Sequence, residues 1–268
     1  MMPFFVVIPA RYASTRLPAK PLADIGGNPM IIRVARQALR SQAQDVVVAT
    51  DHAEVQLAVE RAGLQVEMTD PAHQSGSDRV MEVARRRGWP DDAVVINVQG
   101  DEPLLPPTVI DQLARAMEAR PEIGVATLCE PLADESALFN PNVVKVVRRQ
   151  DGRALYFSRA PVPWARDEFA ERDQTADLRQ AARAVLERET GLWQRHIGIY
   201  GYRVAALRAF CAAPAGRLEQ TEALEQLRML EIGLDILVEN SAETVPGGVD
   251  TEADLARVRR WVAEHDRS

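Results

Sequence analysis

The sequence predicts an α/β fold built on a doubly wound, mixed but mainly parallel sheet with an antiparallel subregion. Short apolar runs rich in β-branched residues alternate with amphipathic helical stretches through the first half, which is typical of parallel strands covered by helices on both faces. After Cys129 the pattern changes to β-like runs with no long helical stretch between the first two, which indicates an antiparallel addition. With 268 residues, 46% of them hydrophobic, residues 1–268 are expected to form a single α/β domain.

The individual elements follow from the spacing of apolar residues along the chain. Apolar runs predict strands at residues 4–8, 45–49, 65–68, 93–98, 124–129, 143–147, 154–157, 197–202 and 236–239. Apolar residues at helical spacing predict helices near residues 31–39, 55–62, 80–84, 204–212, 220–233 and 251–264. Residues 166–194 are charged and rich in Ala, Arg and Glu, so we expect a solvated helix or a mobile excursion there and assign it no chemistry.

The charge balance argues against a protein that coats nucleic acid. Lys and Arg number 32 against 39 Asp and Glu, a formal net charge of -7, whereas duplex binding relies on basic residues that neutralise phosphates. A small anionic ligand needs only local basic residues and stays compatible with this composition.

The sequence favours a cytoplasmic protein without a membrane segment. Cys129 and Cys211 have neither metal-ligand nor disulfide-framework spacing, and unpaired cysteines suit a reducing compartment. The apolar opening at residues 4–8 is cut by Pro9 and followed by Arg11, far short of the roughly 20 residues that span a bilayer. We therefore expect neither a membrane span nor export.

A basic loop directly follows the first predicted strand and is the first candidate site. In open α/β sheets, ligands bind outside the carboxyl ends of the strands, which is where Arg11, Arg16 and Lys20 lie. The loop is neither a Walker A motif nor a G-x-G-x-x-G turn, so side-chain charge must replace backbone amides, and guanidinium groups suit phosphate oxygens. The alternative interpretation is a solvated basic loop.

Acidic residues form a second and a third candidate site. Asp101 and Glu102 follow Gly100 just beyond a predicted strand, and Mg²⁺ typically takes one or two carboxylates together with substrate phosphates, so Asp101 could anchor this ion. An ordinary Gly-Asp turn is the alternative. Asp250 precedes a capping-box pattern at the start of the last helix, and it joins a metal site only if the fold brings it beside Asp101.

The histidines do not indicate a hydrolytic site. His52, His73, His196 and His265 include no H-E-x-x-H or other metal-ligand spacing, and no G-x-S-x-G motif is present, so metalloprotease and α/β-hydrolase functions are disfavoured. On the residues alone, His196 at a strand start and Tyr200 beyond it are more typical of packing than of a site.

Together the motifs resemble those of the 3-deoxy-manno-octulosonate cytidylyltransferases, also called CMP-Kdo synthetases, over nearly the whole chain. The resemblance lies in residues 8–18, 48–51, 73–76, 97–103, 139–142, 154–159, 196–203, 224–228 and 248–251. The first of these segments marks the wider nucleotidyltransferase superfamily, and the combination is specific to the Kdo enzymes. The resemblance implies a sheet of the nucleotidyltransferase (Rossmann-like) type.

The resemblance also implies an activity, transfer of a cytidylyl group from CTP to Kdo (3-deoxy-D-manno-octulosonate), giving CMP-Kdo and pyrophosphate for lipopolysaccharide biosynthesis. It implies that Asp101 and Asp250 bind Mg²⁺ and are catalytic together with Arg11 and Lys20. The nucleotide-binding residues that it implies are Ala10, Arg11, Arg16, Lys20, Gln74, Ser75, Gly76 and Arg79. The sugar-binding residues that it implies are Gln99, Arg159, His196, Tyr200, Glu225 and Gln226.

Arg159 is, by the same resemblance, the expected partner of the Kdo carboxylate. The family is generally a homodimer, so residues 130–202 would form a sugar-binding and dimerisation subregion within the single domain. One departure from the family concerns the backbone: Ala19 stands where glycine is frequent, so an unusual backbone angle there would be penalised.

Two other functions stay open. A transferase for a related acidic sugar, such as amino-Kdo or a sialic-acid relative, would keep the basic loop and change the sugar-facing residues. A catalytically silent nucleotide-binding regulator is the second alternative, and the retained Arg11, Lys20, Asp101 and Asp250 argue against it.

Overall fold

Most strands and helices arise where the apolar spacing predicts them. The computed structural model describes residues 2–13, 17–132, 134–170 and 175–265. Its strands are β1 (Phe4–Ala10), β2 (Asp24–Ile25), β3 (Asn28–Pro29), β4 (Asp45–Thr50), β5 (Gln65–Met68), β6 (Val94–Asn97), β7 (Val125–Pro131), β8 (Lys145–Arg148), β9 (Ala154–Ser158), β10 (Gln194–Arg203) and β11 (Ile236–Asn240).

Helices cover both faces of these strands. They are α1 (Met30–Ala38), α2 (Ala53–Arg61), α3 (Gly76–Arg86), α4 (Pro107–Ala119), α5 (Glu135–Phe139), α6 (Arg166–Phe169), α7 (Thr175–Arg188), α8 (Val204–Ala212), α9 (Arg217–Glu222), α10 (Gln226–Glu231) and α11 (Glu252–His265). A short 3-10 helix spans Lys20–Leu22. Each described helix falls short of the length or the apolarity that a membrane span needs.

Within the described part of the chain, nine strands form one mixed sheet. Neighbouring strands follow the order β11-β7-β10-β6-β1-β4-β5, and β8 links β9 to β10. β1 pairs in parallel with β4 and β6, whereas β10 runs antiparallel between β6 and β7. The mixed, mainly parallel sheet is thus confirmed, and the antiparallel β8–β9 pair is the addition expected after Cys129.

Alternating side chains of β1 supply the core on both faces of the sheet. Val6 and Ile8 pack into the cluster that includes apolar residues of α1, α2 and α4, whereas Val7 packs into the cluster with residues of α3 and α8. The carboxyl ends of β1 and β6 therefore lie between the two helix layers. Folds of this type bind their ligands at that edge.

Several helices differ from the prediction, among them α4, α5, α9 and α10. The single helix expected over residues 220–233 is divided into α9 and α10, because Ala223 between them takes a left-handed φ of 51°. The sequence-based prediction omits α4, although Pro107 in its first turn and the buried Val109, Ile110 and Leu113 are typical of a helix.

The segment at residues 166–194 is more than a solvated excursion. Its helix α7 buries Ala182 and Val185, and these side chains join a small separate cluster with Trp193 and residues of α5. The expectation of a purely solvated helix is therefore wrong, because alanines in a charged sequence can still form a narrow apolar stripe.

Candidate active site

A charged cavity of about 580 Å³ lies at the carboxyl ends of β1 and β6. It is lined by Pro9, Ala10, Arg11, Ala13, Lys20, Pro21, His73, Gln74, Ser75, Gly76, Arg79, Gln99, Gly100 and Asp101. The structure thus brings together all the predicted nucleotide-binding residues except Arg16, which lies outside the described residues. We call this space the charged cavity.

Two glycines let the walls of the charged cavity approach one another. A Cβ atom at Gly100 would lie 2.6 Å from the carbonyl oxygen of Pro9, so the loop after β6 can meet the end of β1 only without a side chain. At Gly76, the first residue of α3, a Cβ atom would lie 3.2 Å from the ring of Pro9. These approaches gather two strand ends and one helix start around a single space.

The start of α3 forms one wall of the charged cavity. The Ser75 hydroxyl accepts a hydrogen bond from the Asp78 amide at 3.1 Å, and the Asp78 carboxylate accepts one from the Ser75 amide at 3.3 Å. This capping box fixes the first turn of the helix. Because the amino end of a helix carries partial positive charge, this wall favours an anionic ligand.

Arg79 is a buried residue in the lining of the charged cavity, and hydrogen bonds fix its side chain. It is 1% exposed, and its guanidinium donates to Asp51 at 2.6 Å and to Thr69 at 2.8 Å. His73 also lines the cavity, with its Nε2 atom 2.7 Å from the carboxylate of Glu82. The residue-by-residue assignment omitted His73, although its place at the head of the motif at residues 73–76 was an available signal.

Lys20, Asp101 and Asp250 form an ionic bridge at the charged cavity. Lys20 Nζ donates to Asp101 Oδ2 at 2.6 Å and to Asp250 Oδ1 at 3.1 Å. The Val249 amide donates to the Asp101 carbonyl at 2.9 Å, and a Cβ atom at Gly248 would lie 3.2 Å from that same oxygen. The chain after β11 is thereby held against the loop after β6. This contact brings Asp250 beside Asp101, as the metal hypothesis requires.

The two carboxylates suit a hard cation. They already share one positive charge, and Mg²⁺ prefers such oxygen ligands together with substrate phosphates. Glu102, the residue after Asp101, has a buried Oε2 atom with no hydrogen-bond partner in the described chain. Burial, with the adjacent Asp101 charge, raises the pKa of Glu102 to about 8. The described residues hold no cluster of three or more His, Cys, Asp or Glu side chains suited to a metal, so an ion here would complete its coordination with water or substrate oxygens.

A second cavity, of about 360 Å³, adjoins the first, with Gly76 and Gln99 common to both linings. It is lined by Gly76, Ser77, Asn97, Gln99, Val144, His196, Gly198, Tyr200, Tyr202, Ala223, Leu224, Glu225, Gln226 and Met229. All the predicted sugar-binding residues except Arg159 are therefore together. We call this space the buried cavity.

The titratable groups of the buried cavity are held towards their neutral forms. Burial, and secondarily the neighbouring Arg195, lowers the pKa of His196 to about 3, so its imidazole is uncharged at neutral pH. His196 Nε2 lies 3.1 Å from the Thr127 hydroxyl. Burial also raises the pKa of Glu225, to which the Ser77 hydroxyl donates at 3.2 Å.

Two buried polar atoms in this lining lack partners. Tyr200 Oη and Asn97 Oδ1 have no hydrogen-bond partner within the described residues. An unpaired buried polar atom costs free energy, so both atoms are available to hydrogen-bond a polar ligand or an ordered water. The assignment from the sequence omitted Asn97, although it belongs to the same motif as Gln99.

Arg159 lies outside both linings. Its guanidinium donates to the backbone carbonyls of Glu222 at 2.6 Å, Pro141 at 2.7 Å and Ala223 at 3.1 Å. The structure therefore does not bring this side chain to the place expected for the partner of a sugar carboxylate, because its donors already hold the turn between α9 and α10. That turn leads into Gln226 of the buried cavity, so Arg159 can act on the cavity through the backbone.

Comparison with known proteins extends these observations. The cytidylyltransferase family model matches residues 5–236. A 3-deoxy-manno-octulosonate cytidylyltransferase of Cellvibrio japonicus is 53% identical over 258 residues, covering 96% of this chain and 97% of the relative. Another, of Saccharophagus degradans, is 52% identical and covers 96% of this chain and 98% of the relative.

Solved structures agree with the sequence comparison. A CMP:2-keto-3-deoxy-manno-octonic acid synthetase complexed with CTP has a TM-score of 0.85 at 39% identity, covering 98% of this chain and 99% of that one. A cytidylyltransferase from Leptospira borgpetersenii has a TM-score of 0.61 at 15% identity, covering 98% of this chain and 88% of that one, a likeness that shows the fold alone. By sequence and by fold, the chain belongs to the family of 3-deoxy-manno-octulosonate cytidylyltransferases.

Proposed function

We propose that this protein transfers the cytidylyl group of CTP to Kdo, forming CMP-Kdo and pyrophosphate. The observation that carries the proposal is the pair of adjoining cavities, one charged and one with unpaired polar atoms, which share Gly76 and Gln99. Group transfer requires two ligands held side by side. The names of the two relatives and the CTP-bound synthetase support the identity of those ligands.

The proposed reaction is in-line attack of the anomeric hydroxyl of Kdo on the α-phosphorus of CTP, with pyrophosphate leaving. Attack at phosphorus needs neutralised charge and alignment more than covalent help, so Arg11, Lys20 and the start of α3 would hold the phosphates. Gln99 belongs to both linings and would align the two ligands. No covalent enzyme intermediate is implied.

The cofactor in this proposal is Mg²⁺, which Asp101 and Asp250 would hold. Bound there, the ion would neutralise charge on the phosphate oxygens. The ionic bridge through Lys20 supports this, because it shows that the two carboxylates lie close enough to share one cation. Removal of divalent ions by a chelator should abolish turnover, and added Mg²⁺ should restore it.

Pyrophosphate release from CTP plus Kdo tests donor, acceptor and reaction together. We expect release with this pair and far less when UTP or ATP replaces CTP. Faster release with amino-Kdo or a sialic acid would reassign the acceptor. CTP binding without release under any acceptor would instead indicate the silent regulator.

The assembly in this proposal is a homodimer that uses residues 130–202. Two large apolar side chains in that range are open to solvent: Leu155 is 58% exposed and Trp164 is 53% exposed. A second copy that covers these two side chains would remove apolar area from water, which makes them candidates for the interface. Analytical ultracentrifugation should give the dimer mass, with a shift toward monomer in Trp164→Glu; a monomer at every concentration would contradict the assembly.

The compartment that we propose is the cytoplasm, with CMP-Kdo serving lipopolysaccharide biosynthesis. Support comes from Cys129 and Cys211, whose thiols are free, as is common in a reducing compartment. Fractionation of the source cells with an antibody to the protein would test this assignment.

A further inference from the structure

A cation of the protein itself occupies the carboxylate pair that would take a metal ion. Lys20 Nζ lies 2.6 Å from Asp101 Oδ2 and 3.1 Å from Asp250 Oδ1. The Lys20 side chain is 14% exposed, whereas Asp101 and Asp250 are 33% and 51% exposed, so an ion from solvent can reach the same oxygens. A divalent ion on the same oxygens would meet the ammonium charge at close range, so the two cations compete.

The backbone holds Lys20 in this place. Lys20 opens the 3-10 helix, in which the Leu22 amide donates to the Ala19 carbonyl at 2.8 Å and the Ala23 amide donates to the Lys20 carbonyl at 3.1 Å. Ala19 has a φ of 51°, a left-handed conformation that alanine rarely adopts. Such a conformation persists only where the surrounding structure imposes it, so the position of Lys20 is a built feature of the fold.

The ammonium group of Lys20 can also pair with the phosphate oxygens of a nucleotide bound in the charged cavity. Its side chain lines the charged cavity with Arg11 and Ser75, the set that would surround a triphosphate. A lysine ammonium is a mobile point charge on a flexible stem and can turn from a carboxylate to a phosphate oxygen. Once it turns, Asp101 and Asp250 lose the positive charge that they share through Lys20, and their attraction for a divalent ion increases.

We propose that Lys20 is a resident counter-cation of Asp101 and Asp250 and keeps divalent metal off them until a nucleoside triphosphate draws its ammonium group away. This inference rests on the proposed function, since it takes the nucleotide and the metal to share the charged cavity. Nucleotide and metal then raise each other's affinity, because coupling between two sites is reciprocal. The metal alone binds the free protein weakly.

Titration of the full-length protein with Mn²⁺ in the absence of nucleotide, followed by electron paramagnetic resonance, tests this role without turnover. We expect Lys20→Met to bind Mn²⁺ at least about tenfold more tightly than the unaltered protein. Lys20→Arg keeps the positive charge and should bind the ion as weakly as the unaltered protein. Arg11→Met removes a cation from the same lining and should change the affinity by no more than about twofold. Adding Asp250→Asn to Lys20→Met should abolish the gain.

Equal Mn²⁺ affinity in Lys20→Met and the unaltered protein, at equal melting temperature, would overturn the proposal, as would tight binding to Lys20→Arg. If Lys20→Met does not fold, Lys20→Gln carries the same expectation. The two proposals fail separately: absence of pyrophosphate release rejects the assigned reaction, whereas unchanged Mn²⁺ binding rejects only the counter-cation role.

Discussion

The charged cavity and the buried cavity differ in the ionisation of their side chains. In the first, Lys20 joins two carboxylates that are 33% and 51% exposed, so full charges stay close to water. In the second, His196 is uncharged at neutral pH, and two polar atoms have no hydrogen-bond partner among the described residues. The first cavity is organised around paired full charges and the second around hydrogen-bonding groups without partners in the described chain. Changes in the first should therefore reduce turnover, and changes in the second should reduce acceptor affinity.

The largest effect is expected from the carboxylate pair. Asp101→Asn and Asp250→Asn should each lower turnover by at least about 100-fold while the fold survives, because each removes a carboxylate charge from the proposed metal site. Turnover should be measured at limiting Mg²⁺, with circular dichroism as the check on folding. Asp92→Asn is the matched control, because Asp92 is an exposed carboxylate that lines neither cavity. Near-normal turnover of either test variant would remove that residue from the site.

Arg159 should affect the buried cavity alone. Arg159→Ala frees the turn between α9 and α10, so the Michaelis constant for Kdo should rise at least about tenfold while CTP binding without sugar stays unchanged. Arg159→Lys keeps the charge, but its compact ammonium lacks the planar fork that reaches three separate carbonyls. Its Michaelis constant for Kdo should therefore lie between those of the unaltered protein and Arg159→Ala. Binding of a Kdo analogue without the carboxylate separates the mechanisms, since direct ion pairing predicts no loss for that analogue. Dissociation of the oligomer with loss of CTP binding would indicate a structural role instead.

Tyr200→Phe tests the unpaired atoms of the buried cavity. Removing a buried hydroxyl that has no partner in the described chain should leave the free energy of unfolding unchanged or raise it by up to about 1 kcal/mol. The Michaelis constant for Kdo should nevertheless rise by roughly tenfold if the hydroxyl serves the ligand. Denaturant unfolding and steady-state kinetics measure the two effects. Tyr156→Phe, outside the lining, is the control, and a Tyr200→Phe protein that is less stable with normal kinetics would show that the hydroxyl is structural.

His196 should give the buried cavity its own acid sensitivity. Its pKa of about 3 in the folded protein lies below the ordinary histidine value of about 6.5. Between these values the unfolded chain binds a proton that the folded protein does not, so stability falls as the pH drops from about 6.5 towards 3. His196→Gln should therefore lose less free energy of unfolding between pH 7.5 and pH 5 than the unaltered protein, as measured by urea unfolding. An equal loss in both proteins would place the acid sensitivity elsewhere.

The smallest effect is expected from two alanines, one beside each cavity. Ala19 and Ala223 both have a φ of 51°, which costs an L-residue roughly 1–2 kcal/mol. Replacement by glycine relieves this strain but increases the entropy of the unfolded chain, so each variant should be more stable by less than about 1 kcal/mol. Chemical denaturation measures the change. A loss of stability in Ala19→Gly alone would show that the alanine methyl group is needed for packing at the start of the 3-10 helix.

The strands and the basic loop could be predicted from the sequence because their signals are local. An apolar run ending at Pro9 specifies a buried strand and the loop after it, and Gly100 marks a close backbone approach. The division of the helix at Ala223 could not be predicted in this way, since alanine is a strong helix former. A left-handed alanine is imposed by surrounding contacts, among them the bond from Arg159 to the Ala223 carbonyl.

The sequence by itself determined the order of strands and helices, the placement of cations after β1 and the family resemblance, because each of these resides in contiguous residues. Only the tertiary structure decided which distant side chains meet. Asp250 lies beside Asp101 because the Val249 amide reaches the Asp101 carbonyl, and Arg159 turns to backbone carbonyls that no local pattern indicates. Contacts between residues far apart in sequence depend on packing and loop closure, which the spacing of residue types does not encode.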